Sequence, residues 1–296
     1  MPTSRRWLRP RRWLPAVLGL LLLGTAVAGG LAWLRRPAPP AAHDASCTVR
    51  TSTTTPTTSH ATGSPSWNFQ PEQVRNAAII AAVGHQRGLS TRAIVIAEAT
   101  AMQESKLFNI EYGDRDSIGL FQQRPSQGWG DAAQLAKPRF AASAFYDRLT
   151  KVKNWETRSL SDAAQAVQRS AFPDAYARWE PRAAALTDAL VATKPGLLTC
   201  EAAFPRVNPQ LSTTDLASSL SEALGVPVAS AGQGSLELPS ALPAGLVAST
   251  ALSYVDDAGV EQVTIAGSVW LRSAPAKWSA AKSPAAGVVQ TSFRTP

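Results

Sequence analysis

The spacing of apolar and polar positions divides the chain into four stretches. From Trp13 to Leu34 it runs WLPAVLGLLLLGTAVAGGLAWL, 22 residues without a charge, which as a helix is long enough to cross the roughly 30 Å hydrocarbon core of a bilayer. Residues 37–66, an Ala/Pro run followed by TVRTSTTTPTTSHATGSP, carry almost nothing to bury and are expected to form a disordered tether. Between residues 67 and 200 apolar positions recur at helical spacing. Pro71 opens a helix whose stripe is Val74, Ala77, Ala78 and Ala81 and which Gly88 ends. Ser90 caps a second helix running through Leu107, with Ile94, Ala97 and Ala101 inward and Glu104 in its last turn. The turn-rich segment EYGDRDSIGLFQQRPSQGWG separates these from helices predicted over 138–151, 161–170 and 174–193, the last interrupted near Pro181. Residues 201–296 open with a linker. Helices at 215–224 and 246–257 follow, then the alternating run VEQVTIAGSVWLR, from Val260 to Arg272, which reads as strands turning at Ala266-Gly267. The expected fold is therefore mainly α: a transmembrane helix, a tether, a helical domain and a small α+β carboxyl-terminal domain.

Charge changes the picture once it is located. The net charge of +8 suggests a nucleic-acid surface, but residues 1–36 hold seven arginines and no acid. The remaining 260 residues carry 22 basic against 21 acidic side chains, which removes nucleic acid as an expected partner. Five of those arginines (Arg5, Arg6, Arg9, Arg11, Arg12) form a basic segment over residues 1–12, and Arg35 and Arg36 follow the hydrophobic run. The positive-inside rule keeps such an amino terminus cytoplasmic and sends the rest outside, the cytoplasmic membrane being held through residues 13–34. A cleaved signal is the alternative, since Ala26-Val27-Ala28 offers small residues for cleavage. Either way, residues after 36 face an oxidising compartment, where Cys47 and Cys200 are most simply disulfide partners; two free thiols are the other reading. Two cysteines and three scattered histidines (His43, His60, His85) predict no metal site, and no cofactor motif is present.

Glu104 is the residue whose placement asks for a reason. A carboxylate at a helix carboxyl end sits against the dipole, which disfavours its charged form and suits a general acid; on an arbitrary helix a solvated surface role would be the simpler reading. Its context decides between them. Glu104-Ser105 is followed by a polar loop, by Gly119-Leu120-Phe121-Gln122, and later by AVQRSAFPDAYARW over 166–179. This order resembles the lysozyme-like fold of soluble lytic transglycosylases and goose-type lysozymes, in the branch found in exported actinobacterial proteins, with Phe121 where the family usually has methionine.

The resemblance implies an exported enzyme that cleaves the MurNAc-GlcNAc bond of peptidoglycan, with Glu104 as its acid and residues 67–200 as its catalytic domain. It implies substrate contacts from Ser105, Gly119, Leu120, Gln168 and Ser170. Bare chemistry adds Gln122 and Gln123 as amide partners for N-acetyl groups, and Tyr112, Phe121 and Trp129 as faces on which sugar rings stack, though core packing explains aromatics as well. Asp114 and Asp116 are the candidates for a second carboxylate, but both stand in turn chemistry, where an aspartate bonds to the backbone. The expected branch is therefore a lytic transglycosylase, which needs no second carboxylate. A hydrolytic lysozyme, or a non-catalytic wall-binding or envelope-assembly module, is the alternative. Residues 201–296 show no catalytic constellation; Trp270 and Trp278 read equally as sugar faces or as sheet packing, and the unit is a candidate contact for an envelope protein.

Overall fold

The structure, a computed structural model, describes residues 43–51, 65–170, 173–203, 209–232, 234–282 and 287–291. The expected basic segment, the hydrophobic run over 13–34 and residues 37–42 and 52–64 of the expected tether lie outside the described residues. Among the described residues, no helix is long and apolar enough to cross a membrane.

In chain order the elements are β1 (Ser46–Arg50), β2 (Ser66–Phe69), α1 (Pro71–Gln86), α2 (Thr91–Ser105), α3 (Ala132–Leu135), α4 (Pro138–Leu149), α5 (Leu160–Gln168), α6 (Glu180–Val191), β3 (Leu198–Glu201), α7 (Thr213–Leu224), β4 (Ala229–Gly232), β5 (Ser235–Glu237), α8 (Ala244–Leu252), β6 (Val260–Ile265), β7 (Ser268–Leu271), β8 (Ser279–Ala280) and β9 (Val288–Thr291). Short 3₁₀ segments occupy Pro125–Gln127 and Pro173–Trp179. Where the sequence predicts a mainly α chain, the described residues thus form a mixed arrangement of helices and two antiparallel sheets, ordered β2-β1-β3 and β4-β5-β9-β6-β7-β8.

The first sheet corrects the tether expected over 37–66. Residues 46–50 are its central strand, with Cys47 and Val49 buried on one face and Thr48 and Arg50 turned away from it. Two apolar residues suffice for this alternation because other strands, β2 and β3, flank the segment on both sides. Cys47 lies directly opposite Cys200 in the register and the two form a disulfide, as expected.

Helices α1 and α2 are apolar around most of their circumference, so they run through the middle of the core. Helix α1 packs against α2, α4, α6, α7 and α8. Gly84 permits its approach to α4: a Cβ there would lie 2.8 Å from the Tyr146 hydroxyl and 2.9 Å from Ile94 Cγ1. The predicted helices are found with shifted ends. Ser159, rather than Ser161, caps α5, its hydroxyl accepting from the Asp162 amide. The helix expected over 174–193 is a 3₁₀ segment up to Trp179 and becomes α-helical at Glu180, with Pro181 in its first turn, where a missing N–H is harmless. The hairpin at Ala266-Gly267 turns with both residues at positive φ (49° and 74°), the primed geometry that matches strand twist.

The boundary expected between residues 200 and 201 is not a boundary in packing. One hydrophobic cluster runs from Cys47 to Val289, and the described residues belong to a single compact unit. Polar ties reinforce it: Gln86 Nε2 donates to Leu224 O (2.7 Å), Arg139 Nη1 to Ala223 O (3.0 Å), and Arg75 meets Asp257 (2.5 Å). Both tryptophans considered as sugar faces make hydrogen bonds within the fold. Trp270 is fully buried and donates to Pro275 O, while Trp278 donates across to Leu198 O in the first sheet.

The bridge between Cys47 and Cys200 joins residues 153 apart, a closure worth about 5 kcal/mol in the chain-entropy model. Replacing both cysteines by alanine should lower the unfolding free energy by roughly 2–5 kcal/mol, read as an earlier midpoint in urea with a steeper slope, since the unfolded chain is freed to expand. An unchanged midpoint would show that the three-stranded sheet holds the chain without the bridge.

Candidate active site

Glu104 stands in the last turn of α2, as predicted. The helix then ends on two non-glycine residues in the left-handed region, Lys106 (φ 59°) and Leu107 (φ 64°), whose amides return to Met102 O and Ala101 O at 3.2 Å each. That conformation costs about 1–2 kcal/mol per residue, and complete burial of the Leu107 side chain offsets it. Ser105 is buried, and its hydroxyl lies 2.8 Å from Leu120 O and 3.1 Å from Ala101 O. Expected as a substrate contact, Ser105 is instead a strut between the helix end and the loop facing it.

That loop is a tight return in which Ile118 and Gln123 exchange both backbone hydrogen bonds (2.9 and 3.1 Å). Gly119 (φ 78°) is required there: besides its left-handed backbone, a Cβ would lie 2.6 Å from Leu135 O. Leu120 and Phe121 point inward and are fully buried, Phe121 stacking on Phe145 at 4.7 Å between ring centroids. Gln123 is buried too and donates to Ala141 O (3.1 Å). None of these three side chains reaches solvent, so they anchor the loop rather than touch a sugar. Gln122 (φ 47°) is the half-exposed member, donating to Gly119 O and Tyr112 O.

The other predicted contacts divide similarly. Tyr112 is 75% exposed and has a free face. Trp129 is buried, with the Arg148 guanidinium 3.4 Å from its ring centroid, so that face is occupied. Gln168 donates to Phe121 O (2.8 Å), tying α5 to the loop, and Ser170 hydrogen-bonds the Tyr176 side chain while its carbonyl accepts from Gln165. Asp116 is held by Arg124 Nε (2.7 Å), the Ser126 amide (2.7 Å) and the Ser126 hydroxyl (3.0 Å); Arg124 first, then Ser126, keeps its pKa far below the usual carboxylate range. Asp114 is exposed, its carbonyl closing a turn to the Ser117 amide.

Sequence reasoning missed the partner of Glu104. The hydroxyl of Tyr176, on the 3₁₀ segment before α6, donates to Glu104 Oε1 at 2.7 Å. Beside it, Gln103 Oε1 accepts from Arg178 Nη2 and Trp179 Nε1, both at 2.9 Å, so two adjacent residues of α2 clamp the same segment. Burial and the neighbouring Glu104 carboxyl push the Tyr176 pKa well above 10, so Tyr176 remains a neutral donor. In the sequence, Tyr176 stands within AVQRSAFPDAYARW, which names no partner for it. Glu104 is therefore half-buried where three segments meet: the end of α2, the loop 118–123 and the 3₁₀ segment.

A second glutamate was also missed. Glu98 lies fully buried in the middle of α2, its Oε2 accepting from Thr187 Oγ1 (2.8 Å) and its Oε1 lacking a hydrogen-bond partner among the described residues. Burial drives its pKa well up. A cavity of about 730 Å³ lies away from Glu104, between α1 and the α7–α8 region, with Arg75, Arg139, Tyr254 and Asp256 in its walls. Among the described residues no group of three His, Cys, Asp or Glu side chains is placed to hold a metal ion. Compared with protein-family models and with curated proteins, the chain matches none.

Glu98 makes stability pH-dependent with a definite sign. Its folded-state pKa exceeds that of the unfolded chain, so above about pH 4.5 the unfolded chain releases a proton that the folded protein keeps. This group therefore removes about 1.4 kcal/mol of stability per pH unit until its folded pKa is reached. Glu98→Gln should abolish that slope, its stability gaining on the parent's as pH rises from 4 to 7 in denaturant titrations. Parallel profiles would mean that Glu98 ionises in the folded protein as readily as in the unfolded one.

Proposed function

We propose that this protein is an exported enzyme with a lysozyme-like helical core that cleaves the glycosidic bond of peptidoglycan, with Glu104 as general acid, by the lytic transglycosylase route. The hydrogen bond from Tyr176 to Glu104 Oε1 carries the reading. With Oε1 accepting from Tyr176, Oε2 is the carboxyl oxygen left to face a leaving glycosidic oxygen. Once the proton has gone, the same hydroxyl supports the carboxylate. A surface glutamate would have no use for a buried tyrosine aimed at it. Gln122 and the open face of Tyr112 provide the amide and the aromatic surface a glycan needs close to the loop.

The choice of branch rests on the aspartates. Asp116 is committed to Arg124 and Ser126, and Asp114 is exposed on a turn, so neither has the environment of a nucleophile or a water-activating base. A reaction without a second carboxylate uses a group of the substrate itself. The muramyl 6-hydroxyl attacks the anomeric carbon, its proton passes to the Glu104 carboxylate, and a 1,6-anhydro ring closes without water. The disulfide supports an extracytoplasmic location for the folded part, and the apolar run over 13–34 supports tethering to the membrane or export by a cleaved signal.

Glu104→Gln keeps size and hydrogen-bonding atoms while removing the acid, and should slow release of soluble murein fragments by roughly 10²- to 10⁴-fold with the fold intact. The parent's products should carry 1,6-anhydro-muramyl ends by mass spectrometry, and Asp114→Asn should remain active. A Gln variant as fast as the parent removes Glu104 as the acid. Reducing ends alone, with activity lost in a folded Asp114→Asn variant, would identify a hydrolytic lysozyme.

A further inference from the structure

Beside Glu104 the chain gathers positive charge without neutralising it. Lys106 Nζ lies 4.8 Å and the Arg178 guanidinium 5.0 Å from the ring centroid of Trp179, and Arg182 lies 4.2 Å over the ring of Phe69. Lys106, Trp179, Arg182 and Phe69, together with Gln73, Met102 and Leu107, line a small cavity of about 40 Å³. Among the described residues none of the three cations forms an ion pair, whereas Arg75, Arg87, Arg92, Arg124 and Arg272 each meet an aspartate or glutamate.

Their hydrogen bonds go to neutral acceptors. Lys106 Nζ reaches Met102 O and Gln103 O (3.3 Å each), Arg178 reaches Gln103 Oε1, and Arg182 reaches Asn68 O, while Arg182 Nε is buried with no partner among the described residues. Holding like charges together is unfavourable: burial first, then Arg178, pulls the Lys106 pKa below its usual value, with Glu104 pulling the other way. Lys106 stands two residues after Glu104, and Arg178 two residues after the tyrosine that holds it.

We propose that Lys106, Arg178 and Arg182 form an anion subsite around Trp179 that takes a carboxylate of the peptide borne by the muramyl residue next to the scissile bond. This inference rests on the glycan-cleaving reading. The lactyl-linked peptide is the anionic part of an otherwise neutral glycan, and it hangs from the sugar whose bond Glu104 would protonate. An incoming carboxylate relieves the repulsion between the cations, stacks its partners more firmly on the indole and fixes the register of the glycan.

The test uses the full chain carrying Glu104→Gln, so that ligand is bound and not consumed. Soluble glycan fragments with free peptide carboxylates are compared by calorimetry with the same fragments amidated. The free form should bind about tenfold tighter, a difference that shrinks as salt is raised. Lys106→Gln with Arg178→Gln should abolish the preference, read as equal affinities for the free and the amidated forms. Lys106→Gln alone, which leaves the Gln103 clamp untouched, should reduce it partway. Equal affinities, a preference that survives in both variants, or no binding of either fragment overturns the subsite. Cleavage by the parent chain is read separately: a parent that cleaves without carboxylate preference sinks the subsite alone, and one that shows the preference without cleaving sinks the enzyme reading alone.

Discussion

A helix that ends inside a protein must dispose of its last carbonyl groups and hand the chain on in a fixed direction, and α2 does both at its most crowded point. Lys106 and Leu107 turn left-handed, the buried Leu107 side chain holds them there, and the Ser105 hydroxyl fastens the turn to Leu120 O. The position of the loop 118–123 follows from that bond, with the inward pair Leu120 and Phe121 and the Gln168 tie from α5 completing its support. Glu104 is then left beside a loop that cannot drift. Ser105, Leu120 and Phe121, expected to touch substrate, are buried in the support of that loop.

The same economy links stretches of the described chain that lie far apart in sequence. The disulfide and the three-stranded sheet bring residues 46–50 against 198–201, and Trp278 bonds to the carbonyl of Leu198 in that sheet. Helices α7 and α8 pack on α1, which packs on α2. The carboxyl-terminal residues therefore support the helical core rather than forming an appended module. Glu98 is the exception inside this core, a buried acid with one oxygen unpaired among the described residues, and burial raises its pKa.

Helices were legible because each carries enough periodic apolar positions to be read alone; α1, α2, α4 and α7 were found within a few residues of their predicted ends. Strand β1 was not, because two inward residues in a threonine-rich stretch make no pattern, and its second neighbour lies about 150 residues on. At the site, Glu104 could be singled out by its conflict with the dipole, but Tyr176 could not, since the pairing is made by the fold. Phe121 and Trp129 show the limit most plainly. An aromatic side chain suits a sugar face and a core equally, and only Phe145 and Arg148, supplied from α4, decide between them.

The central claim is that Tyr176 acts through Glu104, and a double-mutant cycle on murein cleavage tests it directly. Tyr176→Phe, Glu104→Gln and the double variant would be compared with the parent in rate of fragment release, after circular dichroism has shown that each is folded. If the tyrosine serves only the acid, Tyr176→Phe slows the parent measurably yet adds nothing to Glu104→Gln, and the double variant is no slower than the glutamine variant. Fully multiplicative losses would contradict the account, because they would mean that the hydroxyl works independently of the carboxyl it touches.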